Sequence, residues 1–264
     1  YDVQKALEDA FRHAGVNGAG VILDPATGEL LAATSLPTFD PNTFAVGIEG
    51  AEWSKLHTDP LRPMINRVLQ GTYPPGSTFK IVVAVAALQE GVVTPETTFY
   101  CPGYGTFYGR RFQCSRPQGH GTVDVRAALE HSCNVYFYNL GMRLPIDTIH
   151  RYAAALGLVG KTGIDLPSEG DSFVGSTEWK QRTRKEPWFP GETISVAIGQ
   201  GAHIALVHAS HFEVPAVTDT RLVVLSSTDW LPLAQVEEPL LTSMIDTAIS
   251  GREHIQGDRL YAVA

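Results

Sequence analysis

The eight residues Tyr73-Pro74-Pro75-Gly76-Ser77-Thr78-Phe79-Lys80, with the apolar run Ile81-Val82-Val83-Ala84-Val85-Ala86-Ala87-Leu88 behind them, restrict the fold more than any other stretch. Two consecutive prolines exclude a helix before Gly76, so a helix starts at about Ser77. A segment apolar on all sides belongs in the interior, and Gln89-Glu90-Gly91 supplies a helix end. The β-branched run Ile81-Val82-Val83 would also suit a buried strand, so the segment alone leaves both forms open. As a helix, it carries Ser77 and Lys80 three residues apart on one face of its first turn. A serine there lies near unpaired backbone N–H groups and the positive end of the helix dipole. A lysine held in apolar surroundings loses solvation and acquires a lowered pKa, which frees a neutral amine to act as a base. These are the parts of an activated nucleophile. Ser-x-x-Lys is nevertheless a short pattern that chance supplies in a chain of this size.

The context comes from elsewhere in the chain. Ser132-Cys133-Asn134 is its one Ser-x-Asn, and it follows an apolar-periodic segment (Val123, Val125, Ala127, Ala128, Leu129). Further stretches appear in order: Asp59-Pro60-Leu61-Arg62-Pro63, Asn66-Arg67, Gln70 through Lys80, Gly119-His120-Gly121, Ser132 through Tyr138, Thr162-Gly163-Ile164-Asp165-Leu166-Pro167, and Ala197-Ile198-Gly199-Gln200-Gly201. Over about residues 1–201 the chain resembles the transpeptidase domain of the class B (monofunctional, elongation-type) penicillin-binding proteins.

That resemblance implies an α+β fold of the penicillin-binding-protein and serine β-lactamase type, a helical subdomain beside a central antiparallel sheet. It implies a peptidoglycan D,D-transpeptidase in which Ser77 attacks the D-alanyl-D-alanine end of a stem peptide. Lys80 would take the serine proton, and Ser132 would relay it to the leaving amine. Asn134 would donate to the substrate amide and to Lys80. Gly76, Gly199, Gln200 and Gly201 would border the substrate, and β-lactams would acylate Ser77. The implied partners are stem peptides, β-lactam antibiotics and, through N-terminal regions outside this chain, a shape or elongation glycosyltransferase. The implied place is the periplasmic or extracytoplasmic face of the inner membrane. No cofactor is implied. A serine β-lactamase or β-lactam sensor on the same scaffold is an alternative, as is a catalytically impaired remnant.

The family's third signature, Lys-Thr/Ser-Gly on a strand opposite the nucleophile, is missing from its expected place. Lys161-Thr162-Gly163 matches in letters but precedes Ile164-Asp165-Leu166-Pro167, which the family places in a loop remote from the cleft; Ile249-Ser250-Gly251 lacks the cation. Residues 202–264 therefore read as a divergent tail of one domain whose core is 1–201. If the tail is as written, a carboxylate-binding lysine and one strand-borne oxyanion N–H are lost. The sheet also lacks later strands unless Arg221-Leu222-Val223-Val224-Leu225 supplies one, since a lone hairpin is marginal. Either a remodelled tail completes the domain, or the domain is incomplete; Leu240–Ile249 reads as a helix and favours the second.

At 264 residues, 44% hydrophobic and 18% charged, the chain has the make-up of a globular domain with ample core. It opens inside a helical pattern, as an excised domain would, and has neither a membrane-length apolar run nor a signal-peptide pattern. A net charge of −8 argues against a nucleic-acid partner. Three cysteines form no disulfide framework. Cys101 and Cys114 flank a Gly- and Tyr-rich loop. They suit a disulfide in an oxidising compartment, or zinc together with His120, for which no fourth ligand is evident, or free thiols. Cys133 reads as a small buried side chain. No metal site is assigned, and His203, His208, His211 and Glu213 fit no standard zinc spacing.

Residues 2–14 read as a helix that Gly15 ends. Residues 20–23 and 29–34 read as two strands joined by a turn at Asp24-Pro25-Ala26-Thr27-Gly28. Residues 43–72 read as irregular and 92–121 as loop with short strands. Helices follow from Asp124 to about His131, from Asn134 to Gly141 and over Ile146–Leu156, then a mostly looped stretch over 158–192 with one short helix near Glu178–Arg184.

Overall fold

A computed structural model describes residues 1–24 and 29–205 and the backbone of residues 221–226. The chain divides into two compact units, and neither is continuous in sequence. One holds Tyr1–Tyr73 and Lys161–Gly170 with the strand Arg221–Ser226; the other holds Pro74–Gly160 and Asp171–Ile204. They correspond to the sheet-bearing and the helical parts of the expected α+β fold.

The first unit is built on Gly18–Leu23, buried along its whole length, with Leu30–Leu36 antiparallel on one side. On the other side Arg221–Ser226 pairs antiparallel, from Gly18 opposite Ser226 to Leu23 opposite Arg221. The segment Arg221-Leu222-Val223-Val224-Leu225 thus supplies the third strand that a lone hairpin lacks. Helix α1 (Asp2–Ala14) places Leu7 and Phe11 against Ile22 and Ala32. Gly20 permits this approach, because a Cβ there would sit 2.9 Å from the Phe11 ring. The Gln4 side-chain amide pairs with both backbone groups of Ala33 at 2.9 and 3.0 Å, which satisfies part of an exposed sheet edge. Val68 and Leu69 pack beneath Ala19, Val21 and Leu23.

Between strand and core lie α2 (Asn42–Ala45) and α3 (Gly50–Thr58), in a region whose sequence reads as irregular. Neither helix buries a residue. Amphipathic periodicity arises from burial, so these two segments carry no such signal.

The second unit surrounds the apolar helix. A 3₁₀ turn over Gly76–Phe79 leads into α4 (Lys80–Gln89), so the chain is helical from the residue after the second proline. Val82, Val83, Ala86 and Ala87 are fully enclosed, and α4 packs on α6 and α7. Asp124 caps α5 (Val125–Glu130) by accepting the Ala127 N–H at 2.8 Å. Then come α6 (Asn134–Gly141) and α7 (Ile146–Ala155). Helix α8 (Thr177–Arg184) is capped by Ser176; α9 (Pro190–Val196) lies partly within the stretch read as loop. Pro190 stands at the start of α9, where a missing N–H costs nothing, and Glu192 accepts the Phe189 N–H at 2.8 Å. Two antiparallel ladders, Phe99–Cys101 with Gly121–Val123 and Tyr104–Phe107 with Arg110–Gln113, account for the Gly- and Tyr-rich region.

Candidate active site

Ser77 lies in the 3₁₀ turn and Lys80 opens α4, so one turn of helix sets their spacing. Lys80 is 1% exposed, on a helix otherwise filled with valine and alanine. Its ammonium has three N–H bonds and finds three acceptors: the Ser132 carbonyl at 2.8 Å, Ser132 Oγ at 3.0 Å and Asn134 Oδ1 at 2.6 Å. Ser132 Oγ in turn donates to Ser77 Oγ at 2.8 Å. Burial pulls the Lys80 pKa from an ordinary 10.5 down to about 8, against an opposing pull from Cys114 and Cys133. Roughly one lysine in ten is therefore neutral at pH 7.

The tripeptide Ser132-Cys133-Asn134 is shaped for this. Helix α5 ends at His131, Ser132 adopts the left-handed conformation with φ 52°, and α6 begins at Asn134. The reversal turns the Ser132 carbonyl, the Ser132 hydroxyl and the Asn134 amide toward one amine. Two expected roles change in detail. Asn134 accepts from Lys80 through its carbonyl oxygen and does not donate to it, because an ammonium offers no lone pair. Among the described residues, the bond to Ser77 Oγ comes from Ser132, which stands between Ser77 and Lys80.

Gly76 and Gly199 abut: the Gly76 N–H donates to the Gly199 carbonyl at 3.3 Å. A Cβ on Gly199, whose φ is 76°, would collide with the Gly76 backbone beside Ser77. Gln200 is exposed and bonds through its N–H to the Ser195 carbonyl; Gly201 is exposed with φ 84°.

A second constellation adjoins the same tripeptide. Cys101, Cys114 and Cys133 are buried free thiols, so of the readings left open for Cys101 and Cys114 the disulfide is not formed. The three sulfurs gather around one imidazole instead. His120 Nδ1 lies 3.6 Å from Cys101 Sγ and 3.5 Å from Cys114 Sγ; Cys114 and Cys133 are 3.9 Å apart; and all four donor atoms fall within 4.8 Å of one another. Cys133 completes a set of four donor atoms that spacing did not reveal, since its sequence neighbours mark it as part of the Ser-x-Asn tripeptide. The Val135 and Arg116 N–H groups point at Cys114 and the Tyr136 N–H at Cys133, which favours thiolate. Held next to Cys133, Cys114 is the member of the pair that ionises, and the Cys133 thiol is pushed up. Three thiolates and one imidazole are the donor set of a closed tetrahedral zinc site.

A family model for the penicillin-binding protein transpeptidase domain matches residues 18–215. The chain belongs to that family. The peptidoglycan D,D-transpeptidase MrdA of Acinetobacter baumannii is 44% identical over 194 residues, which is 73% of this chain and 29% of the relative. MrdA of Escherichia coli K12 is 42% identical over 190 residues, 71% of this chain and 30% of the relative. The match thus spans under a third of those proteins. Among solved structures, Pseudomonas aeruginosa PBP2 in complex with WCK 5153 is similar at 39% identity and TM-score 0.74, over 80% of this chain and 48% of that one. Helicobacter pylori PBP2, in a complex with MreC, is similar at 32% identity and TM-score 0.75, over 78% and 39%.

In the first unit, the transpeptidase family's Lys-Thr-Gly letters at 161–163 serve their own loop. Thr162 gives both its N–H and its hydroxyl to Glu169 at 2.6 Å, and the Gly163 N–H follows at 3.2 Å. Of the four residues whose spacing fits no standard zinc arrangement, His203 pairs through its backbone with Phe173, and His208, His211 and Glu213 lie outside the described residues. The turn at residues 25–28 and the helical reading of 240–249 also lie outside them. No helix among the described residues is long and apolar enough to cross a membrane.

Proposed function

We propose that this chain is the catalytic part of a peptidoglycan D,D-transpeptidase working through a Ser77 acyl-enzyme. The observation that carries the reading is the chain of contacts from Ser77 through Ser132 to a buried, pKa-lowered Lys80. Ser77 Oγ attacks the carbonyl between two terminal D-alanines of a stem peptide. Its proton passes to the Ser132 oxygen as the Ser132 proton passes to the neutral Lys80 amine. The tetrahedral adduct expels D-alanine, whose nitrogen takes a proton back along the same route. The amine of a second stem peptide then attacks the ester, forms the crosslink and restores Ser77. Asn134, anchored through its oxygen on Lys80 and hydrogen-bonded to Tyr138, keeps an N–H for the substrate amide. Gly76, Gly199, Gln200 and Gly201 border the substrate, with the Gly76–Gly199 contact setting the loop that carries the nucleophile.

A β-lactam carries the same acyl group in a strained ring and forms an ester that deacylates slowly. In this reading residues 1–201 are the transpeptidase core and 202–264 a divergent tail, here contributing one strand. A shape or elongation glycosyltransferase docks through parts of the protein outside this chain, on the extracytoplasmic face of the membrane. The thiol cluster holds zinc through Cys101, Cys114, His120 and Cys133. A zinc ion there supplies a redox-inert cross-link between the hairpin region and the Ser132 turn.

The test is incubation with a fluorescent penicillin. The wild-type chain takes a stable label and Ser77→Ala takes none. No label on the wild-type chain overturns the reading, and rapid release of hydrolysed antibiotic reassigns it as a β-lactamase.

A further inference from the structure

The Ser132 carbonyl accepts from two donors on different parts of the second unit. One is Lys80 Nζ at 2.8 Å; the other is Ser115 Oγ at 3.2 Å. Ser115 follows Cys114 directly, two residues beyond the strand Arg110–Gln113, and none of the motifs above contains it. We infer that Ser115 is a positioning residue for acyl transfer, holding the Ser132 peptide so that the Ser132 hydroxyl stays on Ser77. The inference rests on the proposed transpeptidase reading and adds a residue to it.

Ser132 is not a glycine, yet its φ is 52°, a conformation that is strained for an ordinary L-residue. Its surroundings must hold it there. Its own N–H is bound to the Leu129 carbonyl at 3.2 Å, which leaves the carbonyl side to Lys80 and Ser115. These two donors differ during turnover. An ammonium N–H is a strong donor and an amine N–H a weak one, so the Lys80 grip loosens whenever Lys80 becomes the neutral base. The Ser115 hydroxyl keeps the same strength throughout. It grips the carbonyl at the moment when the Ser132 hydroxyl must stay aligned between Ser77 Oγ at 2.8 Å and Lys80 at 3.0 Å.

The same region is tied to α6 a second time, by Tyr138 donating to the Gln113 carbonyl at 3.0 Å. That bond places the segment, so removing the Ser115 hydroxyl leaves the fold in position and takes away one contact to the catalytic turn.

The experiment measures β-lactam acylation of the whole chain by stopped-flow, separating the initial binding constant from the acylation rate constant, for wild type, Ser115→Ala and Ser115→Thr. Ser115→Ala is expected to slow the acylation step about three- to tenfold with initial binding and melting temperature unchanged, the range that one hydrogen bond spans. Ser115→Thr keeps the hydroxyl and restores the rate. Hydrogen exchange over residues 129–135, read by mass spectrometry on unacylated protein, quickens in Ser115→Ala alone. The role is refuted by an alanine variant that matches wild type in rate and exchange, as when a water replaces the hydroxyl. It is refuted equally if alanine and threonine slow acylation alike, which makes the position one of simple packing. A wild-type chain that never acylates defeats the transpeptidase reading, while faster exchange in Ser115→Ala alone would still establish the brace.

Discussion

Two small regions meet at residues 132–134, and they treat the same turn in opposite ways. On one side Ser132 and Asn134 serve Lys80, in a network of hydroxyls, an amide and an amine with a pKa of about 8. On the other side Cys133 joins Cys101, Cys114 and His120 in a thiol cluster. Alternation along a tightly turned backbone sends neighbouring side chains to different places, so three consecutive residues feed two chemistries. The difference shows a division of labour. Under the proposed function the oxygen and nitrogen side changes protonation state to act, whereas the sulfur side keeps its donors fixed. A strained serine between two helices gains support from a rigid neighbour that takes no part in proton transfer.

Mutations that separate the two sides test this, and the largest effect belongs to the proton-transfer side. Lys80→Met removes the base while keeping the buried stem volume, and acylation by a β-lactam should fall by about three orders of magnitude or more. Circular dichroism should show the fold retained. A rate within tenfold of wild type would break the assignment of Lys80. Next comes the sulfur side. Purified protein should carry one zinc per chain by elemental analysis. Cys101→Ala, which touches no catalytic residue, should weaken zinc binding on the order of a hundredfold and lower the melting temperature by several degrees. Full metal content in that variant would remove Cys101 from the donor set.

The two sides also differ in how they respond to pH. The neutral amine grows as pH rises through the Lys80 pKa, so acylation should rise nearly tenfold per pH unit below about pH 7 and level off by about pH 9. A profile flat from pH 6 to 9 would mean that Lys80 is not the titrating base. The smallest effect is expected at a control position. Asp124→Ala removes the α5 cap, costs about 1 kcal/mol of stability in denaturant unfolding and leaves acylation within twofold. A large rate loss there would show that the start of α5 controls the Ser132 turn at its far end.

Much of this was legible in the sequence where burial and turn chemistry agree. The Pro74-Pro75-Gly76 lead-in and the apolar run fix the start of α4, and with it the spacing of Ser77 and Lys80. Asp124 marks the beginning of α5, and Gly15, with φ 65°, the end of α1. The apolar stretch at 222–225 left a further strand open, and which strand it joins needs the fold. Helices α2 and α3 were hidden because they bury nothing, and α9 because Pro190-Gly191 reads as a breaker although proline suits the first turn. Cys133 was missed as a ligand for another reason. Its partners come from separate segments, and only the packing of the ladder Phe99–Cys101 with Gly121–Val123 against the turn at 132 brings them together. The direction of the Lys80–Asn134 bond was equally invisible, since it depends on which end of an amide faces a cation.

The most direct test of the account is the site and stoichiometry of acylation. Intact-protein mass spectrometry after exposure to penicillin, followed by proteolytic mapping, should find one adduct per chain on the peptide containing Ser77, and none after Ser77→Ala. An adduct on another serine, or an unmodified chain that is folded by circular dichroism, would contradict the nucleophile assigned here.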